Sequence, residues 1–300
     1  MIHVEKLNKT IGHHHILKDL TLTVKNGSIY GLVGPNGCGK TTLIKHLTGV
    51  LKKDSGSIAF DGSDIYENAA LKASLGYIPD DLSFFAPYTL REAEAYYKLV
   101  YPVFDEDRFR QMKSDFEIDR PGKLQGFSKG MKKQAAFALM MCTHPKYIIL
   151  DEPIDGLDPI IRKLVWKYII EDVASAEASV LVSSHNLREM EGICDSIGIM
   201  AEGSMRLERD LDELKSDIHK IQVAFADEKH AEDRYGGLNI LSRETRGSVD
   251  LLIVRNDKDT VRSRINAESP VLFDMLPLSL EEIFICELGG ENDEIREILF

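Results

Sequence analysis

The stretch Ile29-Tyr30-Gly31-Leu32-Val33, followed by Gly34-Pro35-Asn36-Gly37-Cys38-Gly39-Lys40-Thr41-Thr42, decides how the rest of this 300-residue chain is read. An apolar, strand-like run feeds a loop with GxxxxGK[ST] spacing, and a segment of helical period, Lys40 to Thr48, follows it. Glycines let successive backbone N–H groups converge on one point, and the helix behind the loop adds the positive end of its dipole. Such a cradle suits phosphate oxygens, with Lys40 placed to reach the β and γ phosphates of a nucleotide and the Thr41 hydroxyl placed to bind Mg²⁺. At ordinary glycine usage a chance match in a chain of this length has a probability of roughly one in a hundred, and the flanking strand and helix lower it.

Downstream, Tyr147-Ile148-Ile149-Leu150-Asp151-Glu152-Pro153 is an apolar run of buried-strand type that ends in two carboxylates. Neighbouring side chains on a strand point opposite ways, so Asp151 and Glu152 have different tasks. Asp151 suits Mg²⁺, and Glu152 suits polarising an attacking water as general base. Alone, an Asp-Glu pair at a strand end reads as a solvated loop start; beside a phosphate loop it reads as catalytic.

Between and after these motifs, strand-like runs (20–24, 28–33, 57–60, 75–78, 147–150, 179–183, 197–200) alternate with helical ones (40–48, 90–101, 129–141, 159–173, 187–194). This alternation predicts an α/β fold with a mostly parallel sheet covered by helices. Near residue 210 the texture turns to Asp, Glu and Lys-rich segments with two further strand candidates, 220–225 and 249–254. The division expected is a nucleotide-binding domain over 1–209, with a helical subdomain at about 84–145, and an accessory α+β domain over 210–300.

Composition bounds the partners. A net charge of −12 and a pI near 5.3 oppose a general nucleic-acid role. The longest apolar-leaning stretches, such as Ala135 to Cys142, fall short of the roughly 18 to 20 residues a membrane span needs, and the start MIHVEKLNKT lacks a signal-peptide core. Cys38, Cys142, Cys194 and Cys286 form no CxxC pair, which reads as free thiols in a reducing compartment. Cys38 is expected as a thiol whose alkylation bound nucleotide would block.

From residue 1 to about 205 the chain resembles the ATP-binding cassette family. The discriminating element is Phe127-Ser128-Lys129-Gly130-Met131, standing where that family carries its LSGGQ-like signature. The resemblance implies a mostly parallel P-loop core with an antiparallel β edge. It implies binding and hydrolysis of ATP with Mg²⁺, and a closed pair in which Ser128 and the Gly130 backbone touch the γ-phosphate held by the other subunit. It also makes Asp155 to Asp158 the loop that crosses the dimer interface, and His185 the switch histidine that contacts the γ-phosphate. Separate membrane permease subunits become the expected partners, and the cytoplasmic membrane face the expected location. Soluble members of the family usually carry two cassettes or a long coiled-coil insert; one phosphate loop and no heptad run stand here.

Two positions depart from the family pattern. Asp80 replaces the glutamine after the strand 75–78, which makes it a candidate metal contact along with Thr41 and Asp151. Ile11 replaces the aromatic that stacks on adenine, and His13 to His15 read either as a stacking imidazole or as an exposed polar turn. In family transporters the helical subdomain receives the membrane subunits, so Phe84, Phe85, Tyr88, Tyr96 and Tyr97 become docking candidates, against a plain packing role. Leu278-Ser279-Leu280-Glu281-Glu282-Ile283-Phe284 resembles a sequence common near the end of bacterial exporter ATPases. The segment Glu291 to Phe300 alternates acid with apolar residues in a pattern fit for docking.

Overall fold

The computed structural model describes residues 1–82, 87–226 and 234–288. The expected segments Phe84 and Phe85 and Glu291 to Phe300 lie outside the described residues. Within them the chain forms two compact units, one of Met1–His185 with Ile193–Glu208, the other of Asn186–Gly192 with Arg209 onward.

The first unit opens with strands β1 (Ile2–Ile11) and β2 (His14–Val24), which pair antiparallel around a turn at Gly12. Next come β3 (Ile29–Val33), helix α1 (Lys40–Leu47) and β4 (Ser55–Phe60), then α2 (Ala69–Ala73) and β5 (Leu75–Ile78). Helices α3 (Leu90–Val100), α4 (Glu106–Asp115) and α5 (Lys129–Met141) form the helical part. The core then closes with β6 (Tyr147–Asp151), α6 (Pro159–Ala176), β7 (Ser179–Ser184), β8 (Ser196–Ala201) and β9 (Ser204–Asp210). Leu187 to Cys194, expected as a helix, makes only a 3-10 turn at Leu187–Met190. The chain leaves helical geometry at Glu191, at ψ 128°, and Gly192 follows at φ 77°.

Two sheets share this unit. β2, β1 and β4 form the antiparallel layer, while β5-β6-β7-β3-β8-β9 form a six-stranded sheet in which β5, β6, β7, β3 and β8 run parallel. All five residues of β3, all five of β6 and all six of β7 are buried, the mark of strands covered on both faces. Because these strands are parallel, their carboxyl ends share one edge. Register places Val33 beside Ser184, Asp151 beside Ser183 and Ile78 beside Leu150. In open α/β sheets that edge is where ligands collect.

The second unit contains α7 (Leu211–Asp217) and strands β10 (Ile218–Ala224), β11 (Ile240–Arg246) and β12 (Val249–Arg255), followed by α8 (Lys258–Ala267), β13 (Leu272–Leu276) and α9 (Leu280–Leu288). The strands pair antiparallel in the order β11-β12-β10-β13. Ile221, Val223, Leu252 and Val254 pack with Val261 and Ile265 of α8 and with Tyr235 into a separate core.

Candidate nucleotide-binding site

Four strand ends build the site. The loop Gly34 to Gly39 leaves β3, and Asp80 follows β5. Asp151 ends β6 with Glu152 next, and His185 follows β7. Gly34 is glycine for lack of room: a Cβ there would lie 2.2 Å from the Met200 carbonyl oxygen and 2.8 Å from Cys38 Sγ. Gly39 caps α1 at φ 111° with no side-chain acceptor, so the first amides of the helix remain free for an anion.

The electrostatics call for that anion. Lys40 sits at the first position of α1, where a cation opposes the helix dipole, and no acid occupies the first turn. Its ammonium is buried and donates to the carbonyls of Gly34 at 2.6 Å and Pro35 at 3.2 Å, and lies 3.7 Å from Glu152 Oε1. Free amides, the positive helix end and a lysine therefore converge on one cavity of about 280 Å³, lined by Ile16, Asn36, Gly37, Gly39, Lys40, Thr41, Thr42, Asp80, Asp151 and Glu152. Cys38 is packed beneath the loop, 6% exposed, with burial pushing its thiol up. Burial and a raised thiol pKa both oppose formation of the reactive thiolate at Cys38.

Asp151 is 1% exposed, and its Oδ1 accepts the Ser183 hydroxyl at 2.7 Å. The same hydroxyl oxygen accepts the Glu152 N–H at 3.1 Å. Glu152 adopts φ 49°, which turns its side chain out of the strand alternation, and its Oε2 lies 2.9 Å from Nδ1 of His185. Three expected residues, Lys40, Glu152 and His185, are thereby chained together. Thr41 and Asp151 bring hard oxygen donors to one wall, a fit for Mg²⁺. Asp80 shares that wall, yet its carboxylate lies 3.4 Å from Lys129 and 3.3 Å from Lys133. Among the described residues no cluster of three or more His, Cys, Asp and Glu forms a self-sufficient metal site.

Ser128 caps α5, its hydroxyl accepting the Met131 N–H at 3.2 Å. α5 also lacks an acid in its first turn, so its start is a second anion-attracting end. Ser128, Gly130 and His185 stand outside the wall of the Lys40 cavity. Gly130 packs on the loop Asp155 to Asp158, where an added Cβ would lie 3.3 Å from the Gly156 carbonyl, and Lys129 reaches Asp155 at 3.0 Å. Ile11 is half exposed and pairs with His14 across the β1–β2 turn, while His15 lies 3.1 Å from Asn8 Oδ1. Ile16, from β2, is the apolar residue of the cavity wall.

The family model for ABC transporters matches residues 17–155. The ABC transporter ATP-binding protein YtrB of Bacillus subtilis (strain 168) is 33% identical over 292 residues, 97% of this chain and 99% of that protein. The chain belongs to the ATP-binding cassette family. It is an ATP-hydrolysing, ATP-binding subunit of the transporter class. This cassette is also 32% identical to the lipopolysaccharide export system ATP-binding protein LptB of Escherichia coli (strain K12), over 73% of this chain and 94% of that one. A solved ATP binding subunit of an ABC transporter superposes with a TM-score of 0.65 at 27% identity, covering 72% of the cassette and 92% of that chain. A dimeric cassette in a post-hydrolysis state bound to ADP and Pi shares the fold, at a TM-score of 0.62 and 18% identity over 70% and 99% of the two chains.

Three residues of the cassette's site went unread in the sequence. Ser183 carried a faint signal, a hydroxyl inside the apolar run 179–183; Ile16 carried none beyond its place in a strand. Lys133, one of three lysines in the first five residues of α5, carried no signal and is 2% exposed, donating to the Glu152 carbonyl at 2.6 Å.

Proposed function

We propose that two copies of this cassette, or one copy and a homologue, close on two ATP molecules and thereby drive export through separately encoded membrane subunits at the cytoplasmic face of the membrane. The observation that carries the reading is the split of one anion site into two halves. Lys40 and the loop amides converge on a cavity that Ser128 does not reach, while Ser128 heads a helix start with no acid of its own. A γ-phosphate gripped by one half is completed by the other half only from a second subunit.

In this mechanism the loop amides from Asn36 to Thr42 that are left without a partner, together with Lys40, hold the β and γ phosphates, and Ser128 with the Gly130 backbone supplies the opposite side. Mg²⁺, when bound, would be held by Thr41 and Asp151 with Asp80 at the rim, and supplies charge neutralisation on the phosphate oxygens. Glu152 takes a proton from the attacking water, and His185, hydrogen-bonded to its carboxylate, steers it toward the γ-phosphate. Loss of that phosphate removes the bridge between subunits, and the pair reopens.

A membrane partner is supported by the surface of α3 and the turn after it. Tyr96, Leu99, Val100 and Val103 are exposed, Leu99 at 82%, whereas Tyr97 turns inward and stacks on Tyr101 at 5.5 Å. Tyr88 is also exposed. No helix among the described residues is long and apolar enough to cross a membrane, so a span would come from another chain. The export direction rests on LptB, whose name assigns it to an export system.

Glu152→Gln tests the core of this reading. The expected result is turnover lower by at least about 100-fold, ATP affinity within about twofold of native, and a dimer in sedimentation velocity only with ATP. Near-native turnover overturns the general-base role; ATP bound to a protein that stays monomeric overturns the shared site.

A further inference from the structure

Lys133 is buried where a lysine is costly. It lies one turn into α5, its side chain is 2% exposed, and its ammonium faces two oxygens, the Glu152 carbonyl at 2.6 Å and Asp80 Oδ1 at 3.3 Å. A buried ammonium survives only when paired and hydrogen-bonded, and these two oxygens account for it. The carbonyl belongs to the residue at φ 49°, a left-handed conformation that carries a steric cost for any residue with a Cβ. Ser183 receives the N–H of that residue, and the Asp155 N–H shares its carbonyl at the longer distance of 3.4 Å. Lys133 supplies the short contact and the only charged one to that carbonyl among the described residues.

We propose that Lys133 is a positioning residue for ATP hydrolysis: its ammonium holds the Glu152 main chain in the left-handed turn that brings the carboxylate to Lys40 and His185, and through Asp80 it ties that turn to the segment after β5. The proposal rests on the reading of Glu152 as the base. Its consequence is a coupling along one helix. Ser128 caps α5 and Lys133 lies five residues on, so a shift of the helix start toward a partner's phosphate is felt at the base of the same subunit. The aspartate at position 80 also acquires a role, since its carboxylate pairs with the buried Lys133 ammonium at 3.3 Å.

Lys133→Met keeps most of the stem and deletes the charge. Measured by phosphate release and by binding of a fluorescent ATP analogue, it is expected to lower kcat at least tenfold with nucleotide affinity within twofold of native. Added to Glu152→Gln, it is expected to change the residual rate less than twofold, because both substitutions remove the same function. If far-ultraviolet circular dichroism shows that Lys133→Met does not fold, Lys133→Ala, which leaves room for water at both oxygens, carries the same expected values. Native kcat in the Lys133 variant alongside an inactive Glu152→Gln overturns the proposal alone. An equal further loss in the Glu152→Gln background also overturns it, since Lys133 would then act elsewhere. Native turnover in Glu152→Gln overturns the reading beneath it and the proposal together.

Discussion

At the scale of single residues, the carboxylates of the site are tied together by shared hydrogen bonds. One hydroxyl, that of Ser183, gives its proton to Asp151 and takes one from the Glu152 main chain, so the two carboxylates are fixed relative to each other by a side chain from the neighbouring strand. A glutamate at positive φ costs on the order of 1 kcal/mol or more, and Glu152 is one of the residues that adopt it. Gly34 illustrates the opposite economy, a position where any side chain fails. Gly34→Ala places a methyl 2.2 Å from the Met200 carbonyl, which is backbone and cannot swing away. Thermal melting with and without ATP is expected to show a loss of about 1 to 3 kcal/mol and weaker nucleotide binding; unchanged melting and affinity would contradict the packing at the loop's entrance.

At the scale of elements, helix ends and helix ties do most of the specifying. α3 begins with a capping box between Thr89 and Glu92, α4 with Asp105, and α6 with Asp158 followed by Pro159, each satisfying amides that a helix start leaves open. α9 begins likewise, with Ser279 and Glu282 exchanging bonds while Glu282 also binds Lys220 of β10 at 2.6 Å. This places the exporter-like sequence 278–284 at the junction of helix and sheet in the second unit. The helical part is fastened to α6 by Arg108, which forks onto Asp172 at 2.6 and 3.2 Å. Both side chains are largely covered, so Arg108→Met leaves a carboxylate without its partner. Urea unfolding followed through Trp166, the single tryptophan, is expected to show a loss of about 3 kcal/mol, recovered in large part by adding Asp172→Leu. Additive losses would mean that the two residues do not act as a pair.

At the scale of the molecule, acid sensitivity has an identifiable source. Asp61 accepts from Lys146 at 2.5 Å, from the Met1 amine at 2.6 Å and from the Tyr147 hydroxyl at 2.6 Å, joining the antiparallel layer to the parallel sheet. The Lys146 ammonium, followed by the Met1 amine and Tyr147, holds its carboxyl well below the usual carboxylate range. A depressed folded-state pKa contributes stability that is present above the unfolded value, about pH 4, and lost as pH falls through the folded one. Asp61→Asn is therefore expected to melt lower than the native protein at pH 7, with the gap narrowing below about pH 4. A gap independent of pH would remove Asp61 from the acid response; its partial exposure to solvent keeps the size of the effect modest.

Local pattern carried the phosphate loop, the Asp151-Glu152 strand end and the alternation behind the α/β fold, because these depend on near neighbours: glycine spacing, apolar runs and the period of a helix or strand. The same rules misjudged Leu187 to Cys194, where the chain turns extended at Glu191, and passed over β1, whose bulges break its alternation. Other features were decided only when distant segments met. Asp80, a candidate metal contact by its place after β5, lies near Lys129 and Lys133; Cys38, a thiol that nucleotide is expected to shield, is packed beneath its own loop; Lys133 reaches the carbonyl of Glu152. Chain chemistry alone determined what kind of ligand this protein grips, since a phosphate cradle is written in consecutive residues. Which charges face which, and which are sheltered from water, depended on strand ends being gathered along one sheet edge, and that gathering follows from packing between residues far apart in the chain.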